Sequence, residues 1–576
     1  MSSLPQSVPS VRVAAAQFFS GPDVEENLEI VKGYMREAAA AGVQVLVVPE
    51  NSNRVRDYKD RAECYDKCES LDGAFVTGIQ AAARELGVMI AVGVDLRGEQ
   101  SPDVNIASVL IDTMGKILHV HHKTVFWDYE YTLFTPGTKQ VEVVDTQFGR
   151  VGLLLCADGI VPEVPRILAL KGADMLLNSL NSRGPDEMRV HEPLRAIENH
   201  VWHVAANTVG GPANGFPWTG GSQVVSPLGD ILANAGETEE RMVWADITPS
   251  TSHPKRLRDI GDLTAFRRPE LYGELRADID SHAGAAMYGP VADDAEPRII
   301  RSATLQTSWY HSTEWTLSRA VTQVGYAAIK GARLGVFPEL FIHSKGSIEA
   351  DPGAAAALAE EMLDALCTAA AQHSVWIVAN LVEQEGDRYY STAYLIGDDG
   401  HIFSTYRKVH LSETERAWAT PGDTFVVADT PVGRIGLMIG NEVWLPEITR
   451  ILSLRGAEII AHPTSWDRLE AATQAATERT EENRVHLIST ARTDNAAGYG
   501  SQIVVADRFI FGQPVALMRY PTAYTSRTGF EEDMFIDLDL TDSHSKMQGY
   551  HLDPLATRQP HLYDVLVDTT EEIAHP

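Results

Sequence analysis

GRVGLLLCADGIVPEVPRILALKGADMLL occupies residues 149–177, and GRIGLMIGNEVWLPEITRILSLRGAEII occupies residues 433–460. The two align without a gap. Each opens on an apolar run that reads as a buried strand. A Pro-Glu pair then starts a helix, a glycine stops it, and a second apolar run follows. Helices between strands imply an α/β layered domain, made twice. One letter differs where it matters: Cys156 ends the first strand, and Gly440 stands there in the second copy. A thiol is a nucleophile and a glycine hydrogen is not. The sequence therefore reads as a duplicated enzyme in which one copy carries covalent chemistry.

The duplication extends outward from these stretches. Gln17 pairs with Gln306, Glu50 with Glu339, Lys123 with Lys408, Pro136-Gly137 with Pro421-Gly422, Glu198-Asn199 with Glu482-Asn483, and Ser222-Gln223 with Ser501-Gln502. Arg268-x-x-Leu271-Tyr272 recurs around Pro560 and Leu562-Tyr563. Offsets that drift by a few residues are what loop insertions leave. Residues 1–272 are expected to form one domain and 298–576 a second. Residues 273–297, rich in Ala, Gly and acidic side chains, read as a linker or tether.

Within a copy, strands and helices alternate. VRVAAAQF is a strand; the next helix places Val24, Leu28, Val31, Met35 and Ala38 on one face, with Gly42 as its stop. VQVLVVPE carries Glu50 at a strand end, and SQVVSP with GDILANA reads as a terminal hairpin. The expected class is α/β, with functional side chains at the C-terminal ends of strands.

At 576 residues each half can bury its own core. A net charge of −31 argues against nucleic acid and against anionic membrane surfaces. No apolar run is long enough to span a bilayer, and the start, MSSLPQSVPS, lacks the basic and apolar regions of a signal peptide. The expected compartment is the cytoplasm. Four cysteines, Cys64, Cys68, Cys156 and Cys367, form no disulfide framework. Cys64 and Cys68 want two more ligands to make a zinc site, and His121-His122 want a third, so neither a metal nor any other cofactor is expected.

Cys156 ends a strand and precedes a helix, so free backbone N–H groups and the helix dipole are expected to favour its thiolate. A carboxylate at another strand end, Glu50, can collect the proton. Lys123 and the N–H of Ala157 can hold the oxyanion of a carbonyl under attack. The set of Glu50 in VPEN, Lys123 in HHKT and Cys156 in LLLCADG resembles the Glu–Lys–Cys triad of the nitrilase superfamily of carbon–nitrogen hydrolases, in order and spacing. The resemblance covers almost all of each copy, including RAIENHVWHVAANTVG and GGSQVVSPLGDI. It implies that Glu130, in EYTLFTPG, is a second acidic residue that orients Lys123 or the substrate. It also implies an αββα sandwich in each copy, and pairing of the two copies as an internal pseudo-dimer, with higher oligomers open.

The second copy keeps Glu339, Lys408 and Glu415 but has Gly440, and reads as a pseudo-hydrolase. Cys156-Ala157-Asp158 differs from the Cys-Trp-Glu of true nitrilases and is similar to the amidase branch. The expected activity is hydrolysis of a small amide through a Cys156 thioester. An N-carbamoyl amidohydrolase is the alternative, because Arg268 to Tyr272 is similar to the ending of carbamoylase-like members. A nitrilase and a non-catalytic binding or scaffold protein follow. Pocket walls are expected from loops such as PANGFPWTGG and from Trp127, Trp202 or Trp218, which serve equally as core.

Overall fold

The structure is a computed structural model that describes residues 10–569 except 99, 185, 212–217, 258–259, 293–294, 311, 508–519 and 549–550. The first nine residues, and most of the 212–221 loop read as a pocket wall, lie outside the described residues.

Each half builds two six-stranded mixed sheets. In the first half, Val11–Gln17, Val45–Val47 and Met89–Arg97 run parallel at the centre of one sheet. Val104–Ile111 and Ile117–His122 extend it antiparallel. In the other sheet the strands Gly149–Leu155, Met175–Ser179 and Trp202–Ala206 run parallel. Alternate residues of the two sheets face each other: Val13, Ala15, Val45 and Val47 meet Val151, Leu153, Leu177 and Val204. On the outer side of the first sheet, Val31, Met35, Phe75 and Ile79 of two helices cover Ala14 and Leu46. Helices Glu163–Leu170 and Glu192–Asn199 cover the second. The result is an αββα sandwich, and the second half repeats its strand order.

Local sequence explains the elements. Asp23 caps the helix Val24–Ala40 by accepting from the N–H groups of Glu25 and Glu26. Of its predicted face, Val31, Met35 and Ala38 are buried while Val24 and Leu28 are partly so. Gly42, at φ 72°, makes the turn that ends it. The predicted hairpin forms between Gln223–Val225 and Ile231–Asn234, but it is not terminal. Arg241–Ile247 follows and returns to the edge of the first sheet beside Val11–Gln17.

Helices Glu163–Leu170 and Glu192–Asn199 are buried along their whole length, as are Pro446–Leu454 and Ala476–Glu481. A surface helix buries one stripe; these bury every residue because the other half covers them. Ile167, Leu168 and Leu194 share one apolar cluster with Ile448, Ile451 and Leu452. The ion pairs between halves come in exchanged couples. Arg450 lies 2.8 Å from Glu163, and Arg166 lies 3.2 Å from Glu447. Arg195 lies 3.1 Å from Glu482, and Arg479 lies 2.7 Å from Glu198. Each residue and its repeat counterpart make the same contact with the halves swapped, the signature of a two-fold interface within one chain.

Within the tether expected at 273–297, residues 274–288 are docked on the protein. Leu275 is buried, Glu274 pairs with Arg455, and the Tyr288 hydroxyl donates to the Ser453 carbonyl. Small residues permit this: a Cβ on Gly284 would come within 2.7 Å of the Leu454 carbonyl oxygen. The segments at the end of each copy also cross over. Tyr272 and His410 Nε2 are 2.8 Å apart, and Gln559 Nε2 donates to the carbonyl of Thr124 at 2.6 Å.

Candidate active site

Glu50, Lys123 and Cys156 all stand just beyond strand ends, on one side of the sandwich. The Glu50 N–H donates to the carbonyl of Leu180 at 3.1 Å, tying one sheet to the other. Lys123 follows Ile117–His122, its N–H on the Ile106 carbonyl at 2.8 Å. Its ammonium donates to Glu50 Oε1 at 3.0 Å and to the two Glu130 oxygens at 2.9 and 2.8 Å. These three predicted residues are therefore one buried cluster. Sequence reasoning missed its fourth member. Arg56 reaches Glu50 at 3.2 Å, Glu130 at 2.5 Å and Asp95 at 3.1 Å. Its guanidinium also lies over the Phe134 ring at 4.9 Å. The only signal in the sequence was a basic residue six positions after Glu50.

The charges set each other's ionisation. Burial pushes the Glu50 carboxyl up, but Lys123 and Arg56 together hold it below the ordinary range. Glu130 stays above that range, because burial outweighs the same two cations. Lys123 is held well above its ordinary value by Glu130 and Glu50 despite burial. Glu50 is thus an ionised carboxylate facing an ammonium.

Cys156 opens a three-residue 3-10 turn, Cys156–Asp158, after its strand. Its φ is 46°, a left-handed backbone that non-glycine residues rarely adopt. Its N–H donates to Asn178 Oδ1 at 3.1 Å. Asp158 pins the turn: Oδ1 accepts from the N–H groups of Thr124 and Val125 at 2.9 and 3.0 Å, and Oδ2 lies 2.8 Å from His121 Nε2. The residue after Lys123 is thereby clamped to the residue two after Cys156. His121, read as a possible metal ligand, is a partner of this carboxylate. Ala157 is fully buried in the same turn.

The expectation of a resting thiolate is corrected. Burial pushes the Cys156 thiol well above its ordinary value, against the pull of Lys123. The following α-helix starts only at Glu163, too far on for its dipole to act at Cys156. The site holds a thiol beside an ionised carboxylate, an arrangement that needs a base rather than a preformed thiolate.

Of the aromatic candidates, Trp202 belongs to the core between the sheets. Trp218 lines a cavity of about 740 Å³ together with Arg56, Phe19 and Arg183. Trp127 donates its N–H to Glu130 Oε2 at 2.8 Å. Cys64 and Cys68 are buried together, and Cys367 sits on the helix Pro352–His373.

The chain belongs to the carbon-nitrogen hydrolase family, which it matches twice, over residues 12–256 and 300–495. A nitrilase of Pyrococcus abyssi is 31% identical over 249 residues, 43% of this chain and 93% of that protein. The human deaminated glutathione amidase is 30% identical over 279 residues, 46% of this chain and 84% of that protein. The crystal structure of an amidase from Nesterenkonia sp. is 25% identical, with a TM-score of 0.38 over 44% of this chain and 95% of that one. No described helix is long and apolar enough to cross a membrane.

Proposed function

We propose that the first half is an amidase that cleaves the C–N bond of a small carboxamide through a Cys156 thioester. The observation that carries this reading is the closed buried set of Glu50, Lys123 and Glu130 at the strand ends that converge with Cys156. Ionised Glu50 takes the thiol proton as sulfur bonds to the carbonyl carbon. Lys123 Nζ and the Ala157 N–H hold the oxyanion. When the C–N bond breaks, Glu50 returns the proton to the leaving nitrogen. Glu50 then deprotonates a water, which adds to the thioester and releases the acid and the thiol. Glu130 and Arg56 hold Lys123 and Glu50 in register throughout. Sequence relatives named amidases support the amide class.

The carbamoyl alternative leaned on the ending from Arg268 to Tyr272. Those residues lie against Gly422 and His410 of the second half, so they speak for assembly rather than substrate. A panel of amides, carbamoyl amino acids and nitriles, read by ammonia release and by intact mass, tests the reading. Cys156→Ala is expected to abolish turnover, and Glu50→Gln and Lys123→Ala each to lower it by at least ~10²-fold. One acyl group per chain, at Cys156, is expected. Substantial turnover by Cys156→Ala, or an acyl group on Cys367, would overturn it, and a folded chain inert on every member would favour a binding protein.

A further inference from the structure

We propose that the nucleophile-free site of the second half binds a small primary carboxamide and holds it without cleaving it. A cavity of about 360 Å³ opens there, walled by Glu339, Lys408, Glu415, Asn441, His343 and Trp418. Lys408 Nζ donates to Glu339 Oε1 at 2.9 Å and to Glu415 Oε1 at 2.5 Å, repeating the Lys123 pairs of the first half.

Two differences turn that cluster into a receptacle. The first concerns the missing cation. At the offset that takes Glu50 to Glu339 (339 − 50 = 289), Arg56 becomes Lys345 (345 − 56 = 289). Lys345 donates to the carbonyl of Asp494. Lys345 lines the cavity and is held by Asp494, whereas Arg56 pairs with both acids of the first half. The second difference is at Gly440. A Cβ there would lie 2.6 Å from Glu339 Oε2 and closer still to Oε1, so the carboxylate occupies the room a side chain would take. Carbonyl attack has no nucleophile, and the acid that would have served it faces the cavity instead.

The polar atoms left over specify the ligand. Lys408 has three N–H donors and two carboxylate partners. His343 is 4% exposed and, among the described residues, its Nε2 has no hydrogen-bond partner, nor has the buried Asn441 Oδ1. Burial, with Arg492 beside it, keeps the His343 ring neutral, its pKa pushed down to about 4. Buried groups of this kind are costly unless something pairs with them. Charges of both signs line the cavity, Lys408, Arg492 and Lys345 against Glu339, Glu415, Glu349 and Asp467, so a ligand of either net charge meets its like as well as its opposite, and a neutral polar group is favoured. A neutral group with two N–H donors beside one carbonyl acceptor satisfies all three, and that group is a primary carboxamide. Trp418, Leu340 and Ile348 give its alkyl part an apolar wall. The choice of carboxamide rests on the amidase reading of the first half; the binding itself needs no turnover.

Equilibrium dialysis of the full-length Cys156→Ala chain against radiolabelled propionamide tests this. Two equivalents per chain are expected, falling by one when Asn441→Leu or His343→Leu is added. Unchanged binding in a folded cavity variant would overturn the proposal. Difference density in propionamide-soaked crystals of Cys156→Ala gives a second reading that needs no cavity variant: density beside Lys408 supports the site, and an empty cavity overturns it. Turnover of the unaltered chain is measured apart. An inert first half, with one equivalent still lost on Asn441→Leu, would sink the amidase reading and leave this one standing.

Discussion

Cys156 and Gly440 hold the same left-handed backbone, at φ 46° and 55°. For cysteine that conformation costs on the order of 1–3 kcal/mol, and for glycine almost nothing. The second half has therefore lost a nucleophile and a source of strain in one substitution. A further residue near Cys156 was not legible in the sequence. Glu187 is buried with no partner at Oε1 among the described residues, and burial, with Glu192 beside it, pushes its carboxyl up to about 7. A carboxyl whose pKa is raised by folding destabilises the fold as pH rises from its unfolded value of about 4.3 through its folded value. Glu187→Gln is expected to remove a loss on the order of 3 kcal/mol across that window. Thermal melts from pH 5 to 8 check it: the variant's curve is flatter, and parallel curves would refute the assignment.

At the scale of elements, the turn after the nucleophile strand is held by one acid in both halves. Asp158 gathers Thr124, Val125 and His121. Its counterpart Glu442 accepts from the Tyr406 hydroxyl at 2.6 Å and the His410 N–H at 3.2 Å, and from the N–H of Ile439 at 2.9 Å. The clamp is present also in the half that carries Gly440 in place of the cysteine, so it serves the fold first. Asp158→Ala leaves buried N–H groups without acceptors and is expected to cost about 3 kcal/mol or more in urea denaturation, with a fall in turnover. A loss under about 1 kcal/mol would deny the clamp. The strands and the helix that Gly42 stops were legible because apolar period and stop residues are local signals. The roles of Asp158 and Arg56 were not, because Thr124, His121, Asp95 and Glu130, which define them, lie tens of residues away in the chain. The docking of residues 274–288 was not legible for a related reason: small residues mark a connecting segment in isolation and permit close packing against a neighbour.

At the scale of the molecule, the halves meet across buried charge as well as apolar surface. His191 Nδ1 lies 2.8 Å from Glu478 of the other half, and Arg195 joins the same carboxylate at 2.8 Å. Burial works against the charged ring, but Glu478 prevails and holds the His191 pKa at about 9. A histidine raised in this way gives its full stabilisation below its unfolded pKa of about 6.5, and that contribution is lost as pH rises through about 9. Melting temperature is expected to drop between pH 6.5 and 9 in the parent chain, and less so in His191→Phe. A parent curve no steeper than the variant's would contradict this role. The paired contacts of this interface have a genetic corollary. In a true homodimer one codon is read at two places, so every mutation is borne twice and both sites must accept it. Joining the copies in one chain ends that rule. Gly440 could arise opposite an intact Cys156, and each half is now free to acquire its own specialisation while the seam between them keeps its symmetry.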